Sequence, residues 1–278
     1  MNYRHAYHAG NFADALKHAA LTALLLHLRK KEAPFAVIDT HAGRGLYDLT
    51  GEEAKKTRKA EEGIGRLMEA ELPGTLQRYV ELVKSFGPGR YPGSPLIAAR
   101  LLRDGDRLVA IEKHEEEFAL LGAALKSERR ARTIRGDGYR ELAKLLPPRE
   151  RRGLILIDPP FEEEDEFETA SRALIAAHRR FTTGIFVLWY PAKERKKFEA
   201  TIGELLNAGL GRLLRAELDI GAIPVGADDS RLSAAGLLVV NPPFGFAAEM
   251  EMVGAELARR LAKGPAAQAR VEILAGER

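Results

Sequence analysis

The sequence of 278 residues contains no cysteine. Disulfide bonds, thiolate catalysis and cysteine-ligated zinc are therefore excluded, and a reducing cytoplasm is the expected location. The sequence also lacks any apolar run long enough to span a bilayer, and we expect no signal peptide before Tyr3 and no membrane partner. Its content of 45% hydrophobic and 30% charged residues is typical of a soluble globular protein that buries a sizeable core.

The sequence also has no large excess of positive or negative charge. The formal net charge is +3 and the isoelectric point is near 9.0, which permits a nucleic-acid partner without requiring one. Charge is uneven along the chain: Lys126–Arg152 contains ten Lys or Arg against four acids, and six of the seven residues in Glu162–Glu168 are acidic. Phosphate binding would favour the first stretch, although an ordinary solvated surface explains it more simply.

Histidine is concentrated near the start of the chain. Five of the seven histidines precede residue 42, at positions 5, 8, 18, 27 and 41. Metal binding would be one explanation, but a carboxylate-rich partner pattern such as H-E-x-x-H is missing. We therefore expect no metal site.

Short apolar segments alternate with helical patterns over the C-terminal two-thirds of the sequence. This alternation predicts a doubly wound, Rossmann-like α/β fold with a seven-stranded, mostly parallel sheet. The last two strands are separated only by a loop, which predicts an antiparallel strand added at the end of the sheet. The candidate strands are Phe35–Asp39, Arg107–Ile111, Arg132–Arg135, Gly153–Ile157, Gly184–Trp189, Leu213–Leu218 and Gly236–Val240.

Two segments depart from this alternation. The first is an N-terminal helix that Asn11 can cap, with apolar positions from Leu16 to Leu28. The second, residues 46–90, contains two helical patterns, about Arg58–Leu72 and Thr75–Phe86, where a Rossmann-like unit normally passes straight from strand to helix. We interpret it as a small helical insertion into a domain formed by residues 1–45 and 91–278. After Lys263 we expect a ragged Ala/Gly-rich tail.

The most informative motif is Asp158-Pro159-Pro160-Phe161, which follows the apolar strand Gly153–Ile157. It suits the alkylation of an exocyclic amino group, which is a poor nucleophile because its lone pair is delocalised into the ring. The Asp158 carboxylate can accept a hydrogen bond from the amine and later its proton. The Pro159 carbonyl can accept the second amino proton, and Phe161 offers a stacking face for a flipped base. The alternative is a turn with structural prolines.

Three further signals predict a nucleoside cofactor beside this motif. Gly43 lies after the first strand in a loop of small residues, where backbone can approach a ligand closely. Glu112 ends the second strand, where ribose hydroxyls are usually held, and lies 18 residues after Ser94, where counting restarts beyond the insertion. Asp137 and Gly138 follow the third strand and suit the adenine end. The prediction of a cofactor site depends on the order of these three signals, which occur at the ends of the first, second and third strands.

A second motif, Asn241-Pro242-Pro243-Phe244, also looks like an amino-methyltransferase motif. It follows the seventh candidate strand and not the fourth. We therefore interpret it as a strand end with structural prolines and assign it no chemistry.

The chain resembles the bacterial 23S ribosomal RNA adenine-N6 methyltransferases of the J type over nearly its whole length. The most specific match is the start, Tyr3-Arg4-His5-Ala6-Tyr7-His8-Ala9-Gly10-Asn11, continuing through Ala13-Asp14 to Leu16-Lys17-His18. Other close matches are Asp39–Gly43, Tyr91–Ile97 and Arg152–Pro160. The fold implied by the resemblance, a Rossmann-like methyltransferase domain with a small helical insertion, agrees with the organisation above, although the insertion itself matches only loosely.

The resemblance also implies the residues of the site. It implies that Asp158 is the catalytic carboxylate, in one loop with Pro159 and Phe161. It implies S-adenosylmethionine as the cofactor, held by His18, His41, Ser94, Glu112, Asp137, Gly138 and Asp158. Substrate RNA is implied to contact the N-terminal motif at Tyr3, Arg4 and His5. Phe161 departs from the family, in which Tyr is frequent, so the ring face is kept and the hydroxyl is absent.

Together these inferences predict a monomeric, metal-independent enzyme that methylates N6 of one adenine in 23S ribosomal RNA. The methyl group would pass directly from sulfonium to nitrogen, with catalysis mostly by positioning. Two alternatives stay open. One is a methyltransferase for another amino group, such as guanine N2 in ribosomal RNA or adenine N6 in DNA. The other is a non-catalytic nucleic-acid-binding protein on a relic methyltransferase fold.

Overall fold

The computed structural model describes residues 7–192, 195–222 and 232–276. The strands of this part of the chain are β1 Ala36–Asp39, β2 Leu46–Asp48, β3 Arg90–Pro92, β4 Arg107–Glu112, β5 Ala131–Arg135, β6 Gly153–Ile157, β7 Ile185–Pro191, β8 Leu213–Asp219, β9 Ala234–Val240 and β10 Gln268–Ala275. The helices are α1 Phe12–Leu28, α2 Glu52–Thr57, α3 Lys59–Glu62, α4 Gly65–Met68, α5 Gly74–Lys84, α6 Ser94–Leu101, α7 Glu115–Ala124, α8 Gly138–Leu145, α9 Glu166–Arg180, α10 Arg195–Asn207 and α11 Phe246–Leu261.

One eight-stranded sheet forms the centre of the fold, in the order β10-β8-β9-β7-β6-β1-β4-β5. Its middle is parallel: β1 pairs with β4 and β6, β4 pairs with β5, and β6 pairs with β7. Apolar side chains of α1, α6, α7 and α11 pack on one face, and those of α8, α9 and α10 pack on the other. Every residue of β1 and β6 is buried as a result, which explains the unbroken apolar sequence of β6.

The predicted α/β fold is confirmed, with two corrections at the far side of the sheet. β9 is antiparallel, as expected, but it lies between β7 and β8 and not at the end of the sheet. The chain after Lys263 is not a ragged tail, because β10 pairs antiparallel with β8 and is the eighth strand. Its hydrophobic signal is weak because an edge strand is only partly covered, and its residues are partly or fully exposed.

Helix α1 begins where the sequence predicts. Asn11 is its N-cap and accepts a hydrogen bond from the Asp14 backbone N–H at 2.9 Å. Nearly every residue of α1 is buried, because the helix contacts β6 and β9 of the sheet and helices α5, α6 and α11. Although α1 is buried nearly all round, no helix within the described ranges is both long and apolar enough to cross a membrane.

Residues 46–90 are built differently from the prediction at one point. The second expected helix is present as α5, but the first is broken into α3 and α4. The break lies at Gly63, whose neighbour Ile64 donates its backbone N–H to the Gly10 carbonyl at 2.8 Å. A Cβ atom at Gly63 would lie 2.1 Å from that carbonyl oxygen. This close approach of two backbones requires glycine and interrupts the helix. β2 and β3 pair antiparallel at the base of the segment.

Candidate active site

A cleft of about 660 Å³ opens at the edge where the parallel strands end. β1 lies between β4 on one side and β6 on the other, so the order of the strands changes direction at β1. Open α/β sheets bind their ligands at the strand ends beside such a point. The cleft brings together residues that the sequence separates widely. Every cofactor and catalytic residue expected from the sequence lines it: His18, His41, Ser94, Glu112, Asp137, Gly138, Asp158, Pro159 and Phe161.

The loop after β1 is held by Glu112 at the end of β4. Gly43 has a φ of +59°, in the left-handed region that favours glycine. Its backbone N–H donates to Glu112 Oε2 at 2.9 Å, and the His114 N–H donates to Glu112 Oε1 at 2.8 Å. Each carboxylate oxygen keeps a further lone pair for a ligand hydroxyl. Glu112 therefore shapes the loop and still offers acceptors to the cleft.

Asp137 caps helix α8 at the next strand end. One of its carboxylate oxygens accepts the backbone N–H groups of Tyr139 and Arg140, both at 3.1 Å. The following residue, Gly138, lies against the loop after β1, because an added Cβ would be 2.1 Å from the Thr40 carbonyl oxygen. The Tyr139 hydroxyl donates to Glu166 at 2.7 Å. The start of α8 therefore packs directly against the loop after β1.

Asp158 accepts a hydrogen bond from a buried lysine, Lys17, for which the sequence predicts no role. Lys17 of α1 donates from Nζ to Asp158 Oδ2 at 2.5 Å, and the same ammonium is 2.9 Å from Asp14 Oδ1. The side chains of Lys17 and Asp14 are almost fully buried, and that of Asp158 is 15% exposed. Burial alone would lower the pKa of Lys17, but the two carboxylates outweigh it and raise that pKa well above its usual value. Lys17 is therefore a permanent cation beside Asp158.

A second carboxylate, Asp39, lies at the end of β1. The Ser94 hydroxyl donates to Asp39 Oδ2 at 2.6 Å. Gly93 is the N-cap of α6, and Ser94 is the first residue of that helix, with its hydroxyl turned towards Asp39. Burial raises the pKa of Asp39 to about 7; the charge of Asp158 acts in the same direction, and the Ser94 hydrogen bond and Lys17 act against it. Asp39 therefore changes its protonation state near neutral pH.

His41 lies in the same loop and is neutral at physiological pH. Burial lowers its pKa to about 4, even though Asp158 and Asp137 oppose this shift. Its Nδ1 is 2.8 Å from the Thr40 hydroxyl, and its ring meets the Tyr139 ring edge-on at a centroid distance of 5.0 Å. His41 and Tyr139 therefore give the cleft two uncharged aromatic side chains on this side.

Aromatic rings line the cleft beyond Asp158. Phe161 has a φ of +52°, an uncommon conformation for a side chain of this size. The turn places its ring 4.6 Å from that of Phe167 and 5.8 Å from that of Trp189, measured between centroids. The Trp189 indole N–H is buried and has no hydrogen-bond partner among the described residues. An unpaired buried donor beside an open aromatic surface marks a place where a polar, planar ligand would be stabilised.

The second Pro-Pro motif lies at the opposite edge of the sheet. β9 runs antiparallel to β7, so Val240 pairs with Phe186 at the beginning of β7 and not at its end. The Asn241 amide donates to the carbonyls of Thr182 and Gly184, both at 2.8 Å. Asn241 is thus a structural residue at a strand end, as the sequence analysis expects.

Comparisons with known proteins agree on one family. Residues 32–274 match the family model described as "Ribosomal RNA large subunit methyltransferase D, RlmJ". The chain belongs to the RlmJ family. Two relatives bear the name "Ribosomal RNA large subunit methyltransferase J". The protein from Escherichia coli (strain K12) is 39% identical and that from Haemophilus influenzae is 37% identical, each match covering 91% of both chains.

The crystal structure of protein LPL1258 from Legionella pneumophila superposes closely on this fold. Its TM-score is 0.86 at 32% sequence identity, and the match covers 97% of this chain and 98% of that one. Together with the family match, this confirms the α/β methyltransferase fold and the resemblance inferred from the motifs.

Two residues beside the proposed site were not predicted from the sequence, and three predicted residues lie outside the described part of the chain. The predicted RNA contacts Tyr3, Arg4 and His5 precede the described residues. Lys17 and Asp39 were missed as site residues. The available signal for Lys17 was its position in an otherwise apolar helix, three residues after Asp14, where two charges of opposite sign must be paired if they are buried.

Proposed function

We propose that this protein transfers a methyl group from S-adenosylmethionine to N6 of one adenine in 23S ribosomal RNA. The observation that carries the proposal is that the glycine-bearing loop and Asp158 share one cleft at the end of the parallel strands. Membership of the RlmJ family supports ribosomal RNA as the substrate. The arrangement suits a reaction in which a nucleoside cofactor and a flipped base meet side by side.

The donor set of the cleft fits S-adenosylmethionine. Its volume lies within the roughly 300–1,000 Å³ of small-molecule sites. Glu112 and Asp137 offer carboxylate acceptors for ribose hydroxyls and the adenine amine, and Gly138 lines the cleft beside Asp137. Because Ser94 donates its proton to Asp39, its oxygen offers an acceptor to an ammonium group. His18, His41 and Asp158 complete the proposed cofactor set. When bound, the cofactor supplies an electrophilic methyl group on its sulfonium.

The target amine is oriented by the loop after β6 in this proposal. Asp158 holds Lys17 through Oδ2, so Oδ1 is the oxygen that accepts a hydrogen bond from the amine and later its proton. The Pro159 carbonyl accepts the second amino proton. Lys17 fixes the orientation of Asp158, because the ammonium is itself held by Asp14. Phe161 and Trp189 provide the aromatic surface on which the base stacks.

The remaining parts of the proposal concern organisation and partners. Residues 1–45 and 91–278 form the catalytic domain, and residues 46–90 form an insertion. Tyr3, Arg4 and His5 contact the RNA, and the enzyme acts in the cytoplasm as a monomer that needs no metal. Among the described residues, no group of three or more His, Asp or Glu side chains is arranged to hold a metal ion.

The test is mass spectrometry of 23S ribosomal RNA fragments from cells with and without this gene. Cells lacking it should lose one N6-methyladenine, and the wild-type gene should restore it. Asp158→Ala should fail to restore it, whereas Asn241→Ala should succeed because Asn241 lies at the opposite edge of the sheet. Loss of a methylguanine, or unchanged RNA with a methylation defect in DNA, would support the alternative amino-group substrates. Undiminished methylation by Asp158→Ala would refute the mechanism.

A further inference from the structure

Three buried side chains from different segments form a continuous hydrogen-bonded row behind the cleft. His18 Nδ1 of α1 is 2.6 Å from the hydroxyl of Tyr91 in β3, and that hydroxyl is 2.9 Å from the hydroxyl of Tyr79 in α5. Both tyrosines are fully buried, and His18 is 1% exposed. The row therefore runs from residues 46–90 to a residue that lines the cleft. The proposed chemistry uses neither tyrosine.

Counting protons shows which group donates and which accepts in each hydrogen bond of the row. Each phenol has one proton, and burial raises the pKa of both Tyr79 and Tyr91, so both phenols stay protonated. If His18 donated to Tyr91 and Tyr91 donated to Tyr79, the Tyr79 proton would have no acceptor among the described residues. If Tyr79 donates to Tyr91 and Tyr91 donates to His18, both phenol protons are used, and the last donor of the row is His18 Nε2, in a residue that lines the cleft. Tyr79 does not line the cleft, so a proton left over there could not reach a ligand, whereas a ligand in the cleft can accept one from His18; the second direction is therefore preferred.

This direction determines the state of the imidazole. His18 Nδ1 is then an acceptor, and a neutral imidazole that accepts at Nδ1 has its proton on Nε2. The His18 ring also packs beside both tyrosine rings, with centroid distances of 5.6 Å to Tyr91 and 6.3 Å to Tyr79. His18 is thereby a hydrogen-bond donor at Nε2.

We propose that Tyr79 and Tyr91 are positioning residues that fix His18 as the Nε2–H tautomer, so that it donates to the carboxylate at the amino-acid end of the cofactor. That carboxylate is the single anionic group of S-adenosylmethionine, and an N–H donor favours it. The inference rests on the proposed cofactor. It makes residues 46–90 part of the cofactor site through Tyr79, which lies on α5.

The test combines Tyr79→Phe with two ligands that differ at one end. S-adenosylhomocysteine has the carboxylate, and methylthioadenosine lacks the amino-acid end. Tyr79→Phe should weaken S-adenosylhomocysteine binding by about fivefold or more, the loss typical of one hydrogen bond, and leave methylthioadenosine binding unchanged in calorimetry. Nitrogen NMR of the ligand-free protein should show His18 changing from the Nε2–H form to a mixture of tautomers.

The control is Tyr190→Phe, which removes another buried hydroxyl, one bonded to Glu217 at 2.8 Å. It should leave both affinities and the His18 tautomer unchanged. Equal weakening of the two ligands by Tyr79→Phe, or an unchanged tautomer, would overturn the inference and leave a merely structural role for the row. A wild-type protein that binds neither ligand would instead overturn the proposed cofactor, and this inference with it.

Discussion

Replacing Lys17 with methionine tests the structure most directly. Methionine has a similar length but no charge, so the change leaves the Asp14 and Asp158 carboxylates without the cation that they share at 2.9 and 2.5 Å. Breaking a buried ion pair by removing one partner costs about 3–5 kcal/mol. The side chains of Lys17 and Asp14 are 5% and 2% exposed, so water offers little compensation. At about 2–4 °C per kcal/mol, we expect the Tm to fall by at least roughly 6 °C.

The matched control is Lys144→Met. Lys144 forms an ion pair with Glu141 at 2.6 Å, but its side chain is 67% exposed. Such surface pairs contribute about 0–1 kcal/mol, so this variant should melt close to the wild type. Thermal unfolding followed by circular dichroism measures both. Methyl transfer to ribosomal RNA should fall at least about tenfold in Lys17→Met, since each tenfold loss corresponds to 1.36 kcal/mol of barrier, and should be unchanged in Lys144→Met.

A double-mutant cycle shows whether Lys17 acts through Asp158. In contact pairs the effects of two substitutions deviate from additivity by about 0.5–3 kcal/mol, so Lys17→Met should cost less stability in an Asp158→Asn background. The reasoning is refuted if Lys17→Met and Lys144→Met melt at the same temperature. Additive effects of Lys17→Met and Asp158→Asn would show that the two side chains are not coupled.

Two further predictions concern the neighbouring carboxylates. Glu112→Gln loses one of the two backbone hydrogen bonds, because an amide nitrogen cannot accept an N–H. Calorimetry should show S-adenosylmethionine affinity weaker by about 1.5–3 kcal/mol in this variant and unchanged in the exposed control Glu115→Gln. Equal affinities of the two variants would mean that the cofactor is misplaced. The pKa of Asp39 is raised from 3.8 to about 7 in the folded state, so its contribution to stability is fully present below about pH 4 and is lost as the pH rises to about 7. Urea unfolding should therefore show the wild type losing stability relative to Asp39→Asn between about pH 4 and about pH 7, and a constant difference would contradict the shift.

The grouping of acidic residues at the strand ends could be predicted because strands buried on both faces are nearly continuous in hydrophobicity. β4 and β6 are strands of this kind; Glu112 is the last residue of β4 and Asp158 directly follows β6, while Asp137 lies two residues after the more exposed β5. Lys17 could not be predicted in this way, since a helical lysine usually faces solvent. Its burial depends on Asp158, 141 residues along the chain, and sequence periodicity contains no information about a pair so distant.

The errors of the fold prediction have similar causes. The helix expected over Arg58–Leu72 is broken at Gly63 by contact with the Gly10 backbone, a tertiary contact that overrides local propensity. β10 was missed because an edge strand is only partly buried, so its apolar residues form no clear pattern. In both cases the deciding contact is made by a distant segment of the chain.

The position of α1 has a consequence for biosynthesis. α1 emerges from the ribosome before every other helix described here, yet one of its covering partners is α11, roughly 200 residues later. The ribosome needs on the order of 10–40 s to synthesise these roughly 200 residues. During this time an apolar helix that contributes Lys17 and His18 to the cleft lacks part of its cover. The surface of α1 that α11 covers therefore stays exposed on the nascent chain until nearly all of the protein has been made.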